Sequence, residues 1–254
     1  MAIFSSADAR RAVERGFDDS VRFLTDLVGV PSLLGEEEPA QQLVEARLGE
    51  LGFEVESVVP DPARLAERPD SGIPLEPYEG RRSLVGAIGE GGGRSLVLNG
   101  HVDVVSAEPV DRWTKEPFGA EISDSRMYGR GSCDMKGGVA AMLLGVEAAL
   151  SAGPLPSRLF YQSVIEEECG GNGALAAVLA GPRADDDWAI PLRDGIQRFV
   201  QPGLAAGGAV ASGEAFGDQS RRGAECMQDL VGVLAGRSQS DQIVELSEPG
   251  EHAR

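Results

Sequence analysis

The chain has 254 residues, 42% of them hydrophobic, which is enough to bury the core of one or two domains. Its formal net charge of −18 would repel nucleic acid and an anionic membrane surface, so we expect neither as a partner. The N-terminus is polar and charged, and no long uncharged apolar run occurs, so we expect no signal peptide or membrane span and predict a cytoplasmic protein. Cys133, Cys169 and Cys226 lack a CxxC spacing, which favours reduced thiols over disulfides.

Helices and strands alternate over the first 190 residues. An apolar stripe with steps of three and four residues predicts a first helix, which ends near Pro31; its members are Val13, Phe17, Val21, Leu24 and Val28. A second helix ends at Gly52. Further along, the pattern predicts strands at 53–59, 83–88, 96–98 and 159–165, a hairpin at 118–128, and a helix directly after 134–138. We therefore expect an α/β fold with a mixed sheet flanked by helices.

Three glycine-flanked segments place acidic or imidazole side chains at strand ends or in loops: GHVDVV at 100–105, GRGSCDMKGG at 129–138 and EEECGGNGA at 166–174. In the first, His101 would emerge at the carboxyl edge of the sheet. Asp103 would project to the same side, where it could hydrogen-bond the second imidazole nitrogen. The alternative is a core histidine with a capping aspartate. The two further acidic segments favour a metal site.

Asp134 lies among glycines, which remove the side-chain bulk that would keep the backbone away from a cation. A second interpretation is that Asp134 caps the helix that follows, and both can hold at once. Lys136 is predicted to have a structural or electrostatic role rather than a catalytic one.

Glu166, Glu167 and Glu168 form a run of carboxylates that repel one another unless cations neutralise them. A solvated charge run is the competing interpretation, but the apolar strand before it and the glycines after it favour a site. If the strand persists, Glu167 lies on the opposite face from the other two, whereas a turn would change all three directions.

Together the three segments resemble the M20 family of metallopeptidases and deacylases, in which H-x-D, G-R-G-x-x-D-x-K-G-G and E-E-x-G-x-x-G motifs surround one or two zinc ions. The resemblance implies a phosphorylase/hydrolase-like catalytic domain. It implies that His101, Asp134 and Glu168 are metal ligands, with Asp134 bridging two ions. It also implies that Glu167 is the general base, which deprotonates water activated by zinc, while Asp103 orients His101. Cobalt is expected to substitute for zinc.

The family motif also implies a further aspartate ligand after the glutamates. The segment GPRADDDWAIP at 181–191 resembles R-A-D-x-x-x-I-P-E-P-T, with one extra residue and a different ending. Alignment on the R-A-D letters selects Asp185, whereas alignment on I-P selects Asp186; we favour Asp185. An acidic loop exposed to water is the alternative.

Beyond Pro191 the resemblance ends, so we predict a partial catalytic domain at 1–191 and an atypical tail at 192–254. The tail is rich in Gly, Ala and Ser and then polar, with one helix predicted at 224–234. It lacks a recognisable lid or dimerisation domain and the histidine ligand that follows it in the family, for which His252 is a poor candidate. We therefore expect a truncated or altered chain that holds one metal at most or completes its site with another polypeptide.

The resemblance implies hydrolysis of the amide bond of an N-acyl amino acid. The segments YEGRRSLVG, LNGHVDVV and SVIEEECGGNGAL are most similar to the branch that contains acetylornithine deacetylase and succinyl-diaminopimelate desuccinylase. One alternative is a dipeptidase or carboxypeptidase that uses the same chemistry on a dipeptide. Another is an inactive fragment that binds a metal or a partner. Intact relatives are expected to be homodimers.

Overall fold

The computed structural model describes residues 5–69, 71–90 and 95–180, and the backbone of two strands at 189–193 and 196–197. Four of the predicted features lie outside the described residues and stay predictions: Asp185, Asp186, His252 and the helix at 224–234. None of the helices in these ranges combines the length and the hydropathy needed to cross a bilayer.

The elements alternate as the sequence predicts. In chain order they are α1 (Ser6–Gly29), α2 (Glu38–Glu50), β1 (Glu54–Val58), α3 (Pro62–Ala66), β2 (Ser83–Ile88), β3 (Leu96–His101), a 3-10 turn (Val110–Arg112), β4 (Glu121–Ser123), β5 (Arg126–Tyr128), α4 (Lys136–Leu150), β6 (Leu159–Val164), α5 (Asn172–Ala180), β7 (Ala189–Arg193) and β8 (Ile196–Gln197). The α/β class is confirmed. β3 runs three residues beyond the predicted 96–98, because its backbone stays paired with β6 as far as His101.

The central sheet is mixed, with the strand order β1-β2-β6-β3-β7-β8. β2 is antiparallel to β1 and β6, whereas β3 is parallel to both β6 and β7. In this register His101 lies opposite Val164, so the carboxyl ends of β3 and β6 meet at one edge. β4 and β5 form the separate hairpin predicted at 118–128. The topology therefore brings the segments after β3 and β6 together.

Helix α1 forms as predicted, but its buried face follows the predicted stripe only in part: Val28 is fully buried and Val13 packs against buried residues. Phe17 is 56% exposed, whereas the small residues of the helix are buried: Ala9, Ala12, Gly16 and Ser20. They are small because α1 packs closely against α4, so closely that a Cβ on Gly16 would lie 2.7 Å from Leu144 Cδ1. The interface therefore selects for size rather than for hydrophobicity.

The main core includes side chains of β3, β6 and α4, such as Leu98, Tyr161 and Met142, each of them fully buried. Gly100 has no side chain to separate β3 from α4, since a Cβ there would lie 2.8 Å from Met142 Cε. Helix α4 can therefore pack against the end of β3 just before His101, and this packing fixes the position of that histidine.

Candidate metal centre

His101 ends β3 and is buried at the edge of the sheet. Its Nδ1 lies 3.0 Å from the backbone carbonyl oxygen of Asp103. A carbonyl oxygen can only accept a hydrogen bond, so Nδ1 is the donor in this contact and Nε2 is the nitrogen that remains for a metal. The orientation of the ring therefore directs its metal-binding nitrogen towards the other site residues.

The carboxylate of Asp103 does not make the predicted hydrogen bond to the imidazole, since its Oδ1 lies 3.6 Å from His101 Nδ1. It accepts instead from two backbone N–H groups: Glu167 N donates to Oδ1 at 3.2 Å and Glu168 N donates to Oδ2 at 3.0 Å. Burial raises the pKa of Asp103, while nearby His101 and the two N–H donors oppose that rise. The residue orients His101 through its carbonyl group and fixes the turn after β6 through its carboxylate.

Asp134 lies in the glycine-rich turn before α4, and its Oδ1 is 3.2 Å from His101 Nε2. Its side chain is half exposed. The alternative role as a helix cap is not found, because α4 begins at Lys136 after an N-cap at Met135, and no side chain caps it. Asp134 is therefore free to face His101.

Lys136 is buried, and its ammonium group binds the end of α1. Its Nζ donates to the backbone carbonyl oxygens of Leu27, at 2.9 Å, and Val30, at 2.7 Å, at the end of α1. Burial lowers the pKa of Lys136 to about 8. Its contacts agree with the predicted structural role, since they connect the start of α4 to the end of α1.

The three glutamates separate because β6 ends at Val164 and a turn follows, with Glu166 at a φ of 61°. Glu166 is fully buried, and its Oε1 accepts from the hydroxyl of Tyr78 at 3.0 Å. Glu167 and Glu168 are partly exposed on the side of His101. The turn, rather than continued strand alternation, decides where these side chains point.

Four of the predicted site residues come together at this edge. One ligand atom each of His101, Asp134 and Glu168 lies within 4.8 Å of the others. Glu167 Oε2 is 3.8 Å from His101 Nε2. Asp185, the remaining predicted ligand, lies outside the described residues.

The charges of this group suit a divalent cation. Within the described ranges, the ion pairs of Asp134 and of Glu167 are made with His101 and not with lysine or arginine. Burial, and then the negative charges of Asp134, Asp103 and Glu167, raise the pKa of Glu168. Imidazole nitrogen and carboxylate oxygen are common zinc ligands, and a cation among them would remove the repulsion. The residues present therefore fit such an ion.

Several buried polar residues beneath Glu166 were not predicted from the sequence. Glu37, at the N-cap of α2, binds the guanidinium of Arg81, which also lies 3.3 Å from Glu166 Oε2. Asn172, the first residue of α5, donates to Glu166 Oε1 at 3.1 Å. The segment YEGRRSLVG contributed to the resemblance, but nothing in a single sequence pairs Arg81 with glutamates 44 positions before it and 85 after it.

Fold and site define an α/β domain with a candidate metal centre at the carboxyl edge of its sheet. The model of peptidase family M20/M25/M40 matches residues 97–235, more than half of the chain, and the chain belongs to that family. Membership implies the use of a divalent metal. The match continues past Pro191, where the motifs of the sequence analysis end.

Several curated relatives are about one third identical. Succinyl-diaminopimelate desuccinylase of Paracidovorax citrulli (strain AAC00-1) is 33% identical over 168 residues, covering 65% of this chain and 41% of the relative. Succinyl-diaminopimelate desuccinylase 2 of Ruegeria sp. (strain TM1040) is 34% identical, covering 66% and 38%. N-formyl-4-amino-5-aminomethyl-2-methylpyrimidine deformylase of Bacillus subtilis (strain 168) is 33% identical, covering 56% and 36%. The chain spans about two fifths of the length of these relatives.

Solved structures of M20-like enzymes share the fold. Human carnosine dipeptidase 1 matches with a TM-score of 0.58 and 21% identity, over 73% of this chain and 40% of that one. The dipeptidase Dug1p from Saccharomyces cerevisiae also has a TM-score of 0.58, with 19% identity over 69% and 38%. At these identities the likeness concerns the architecture alone.

Proposed function

We propose that this chain carries the metal-binding part of a zinc-dependent hydrolase that cleaves the amide bond of an N-acyl amino acid. The observation that carries the proposal is the convergence of His101, Asp134 and Glu168 at one edge of the sheet, with Glu167 beside them. These residues come from three segments that are distant in sequence, and their chemistry is that of a zinc site.

His101 Nε2, Asp134 and Glu168 would hold the ion, and Asp185 is the further ligand that we propose from the family motif. When bound, the ion supplies a Lewis acid that polarises the amide carbonyl and lowers the pKa of water towards about 7. The Asp103 carbonyl oxygen would accept a hydrogen bond from His101 Nδ1, so the imidazole would bind the ion through Nε2.

Glu167 is the proposed general base. Its carboxylate is 37% exposed, which leaves it accessible to substrate, and its Oε2 lies 3.8 Å from His101 Nε2. It would take a proton from the attacking water as the new C–O bond forms. As the C–N bond breaks, Glu167 would give that proton to the departing amine nitrogen. Its position depends on Asp103, which holds the backbone N–H groups of Glu167 and Glu168.

The sequence relatives favour removal of an acyl group from an amine. Two of them are described as desuccinylases and one as a deformylase, at 33–34% identity. The dipeptidases, at 21% identity or less, support the fold rather than this choice of substrate. Among acyl groups, succinyl is suggested by these relatives and acetyl by the sequence motifs, so both belong in the test.

A substrate panel tests the proposal. The full chain is loaded with zinc, its metal content is measured, and release of free amine is followed from N-succinyl, N-acetyl and N-formyl amino acids and from dipeptides. We expect turnover of an N-acyl substrate, and its loss together with the metal in His101→Ala. Tyr161→Phe, a buried change in β6 away from the metal ligands, is the control and should keep both. Turnover that survives in His101→Ala, or hydrolysis of dipeptides alone, contradicts the proposal.

A further inference from the structure

A buried polar cluster lies under the turn that carries Glu167 and Glu168. We call it the Glu166 network, and its members are Glu37, Tyr78, Arg81, Glu166 and Asn172, each at most 4% exposed. They come from α2, the loop before β2, the turn after β6 and the start of α5. None belongs to the group of candidate metal ligands.

Oε1 of Glu166 is hydrogen-bonded, whereas Oε2 is buried without a hydrogen bond among the described residues and has only the ion pair with Arg81. Oε1 accepts from the Tyr78 hydroxyl at 3.0 Å and from Asn172 Nδ2 at 3.1 Å, and Oε2 lies 3.3 Å from Arg81 Nη2. Asn172 also joins this cluster to the loop before β2, because Gly72 N donates to its Oδ1 at 2.8 Å. The direction of the Glu166 side chain is therefore fixed by groups on two different segments, the loop before β2 and the start of α5.

Arg81 is itself held in place. Its guanidinium donates twice to Glu37, from Nε at 3.0 Å and from Nη2 at 2.5 Å, and lies over the Tyr78 ring at 5.4 Å. Burial alone would lower the pKa of Arg81, but the two carboxylates raise it overall. Glu37 and Glu166 thus share one guanidinium, so the neutral donors Tyr78 and Asn172 are needed to stabilise the second carboxylate.

The backbone gives Glu166 its connection to the metal centre. Its φ of 61° is unfavourable for a residue with a Cβ, so the conformation must be held by contacts. The next two residues are Glu167 and Glu168, and Gly171 N closes the turn by donating to Glu166 O at 2.7 Å. Asp103 holds the same turn from the other side through the N–H groups of Glu167 and Glu168.

We propose that the Glu166 network positions the metal-site turn: Tyr78, Arg81 and Asn172 act through Glu166 to fix the direction of Glu167 and Glu168. These are positioning residues, since none touches the ligand group. The effect on the turn stands on the contacts of the chain alone, whereas the consequence for metal binding rests on the proposed function.

The first test measures amide hydrogen exchange in the metal-free full chain. Tyr78→Phe removes only the hydroxyl that donates to Glu166 and keeps the ring over Arg81. Tyr161→Phe is the matched control, because Tyr161 is also buried but its hydroxyl has no hydrogen-bond partner among the described residues. We expect the amides of Glu167, Glu168 and Gly171 to exchange about tenfold faster in Tyr78→Phe and at the parent rate in Tyr161→Phe.

Exchange at the parent rate in Tyr78→Phe overturns the proposal. So does an acceleration of the same size throughout the molecule, because it would mean a general loss of stability rather than release of the turn. Glu166→Gln provides a second variant, since it keeps an acceptor at Oε1 but places an amide group opposite Arg81. It should release the same three amides.

The second test uses cobalt(II) as the probe. Tyr78→Phe should bind cobalt about tenfold more weakly and with an altered visible absorption spectrum, the usual consequence of losing a group that orients ligands, while Tyr161→Phe should change neither. Unchanged affinity and spectrum in Tyr78→Phe would overturn the positioning role. If the parent chain binds no cobalt, the proposed function fails instead, and the exchange measurement alone decides on the Glu166 network.

Discussion

Replacing Asp103 by asparagine tests how the loop after β3 holds the turn after β6. The carboxylate accepts two backbone N–H bonds, at 3.2 and 3.0 Å, from a fully enclosed position. Asparagine keeps the shape and one acceptor oxygen, but its amide group would face the second N–H with a donor. A hydrogen bond to a charged group contributes about 1.5–3 kcal/mol, and the orphaned N–H adds a cost of its own. Burial disfavours the charged form of Asp103 and so raises its pKa, and a neutral asparagine does not have this cost. This difference offsets part of the loss.

We therefore expect Asp103→Asn to lower the free energy of unfolding by about 1–3 kcal/mol, measured by urea denaturation of the metal-free chain. Because the turn carries Glu168, cobalt affinity should fall by roughly 10–100-fold in a titration of the folded protein. Asp111→Asn, in the exposed 3-10 turn, is the matched control and should change neither quantity. If Asp103→Asn is as stable as that control and binds cobalt as tightly as the parent, the carboxylate does not hold the turn and our account of Asp103 is wrong.

Three further predictions follow from other contacts. Glu167→Gln should abolish hydrolysis but keep the bound zinc, whereas Asp134→Ala should lose both activity and zinc. If the measured zinc content falls equally in the two variants, these roles are wrong. Lys136→Met should lower the free energy of unfolding in urea by about 2–3 kcal/mol, because the carbonyl oxygens of Leu27 and Val30 lose their donor. A decrease under about 0.5 kcal/mol would refute this. The hydrogen bond from Arg82 lowers the pKa of Glu45, so this pair stabilises the fold above the ordinary glutamate pKa and stops doing so as the pH falls. Between about pH 5 and about pH 3, Glu45→Gln should therefore lose less stability to urea than the parent. Identical losses in the two proteins would count against the pair.

Local patterns were sufficient to predict the class and most strands of this domain. The alternating run after Gly52 located β1, the run at 83–88 located β2, and the turn-forming residues between 118 and 128 located the hairpin. The site segments were also recognisable, because His101, Asp134 and Glu168 are flanked by glycines and follow strands or precede a helix. These signals are local, and a single sequence contains them in full.

Other features depend on contacts between distant segments, which a single sequence does not reveal. The predicted stripe of α1 placed Phe17 in the core, but close packing against α4 buries the small residues instead. Strand alternation could not decide the direction of Glu166, because the turn after β6 decides it. The predicted bond from the Asp103 carboxylate to His101 was wrong for the same reason, since the backbone of the turn competes for that carboxylate.

The most direct test of the metal centre is anomalous diffraction at the zinc absorption edge from crystals of the full chain grown with zinc. We predict a peak within about 2.0–2.2 Å of His101 Nε2 and of carboxylate oxygens of Asp134 and Glu168. Crystals of His101→Ala grown in the same way should have a weaker peak or none at this position. A strong peak elsewhere with none beside His101, or a peak of equal height in His101→Ala, would contradict the account.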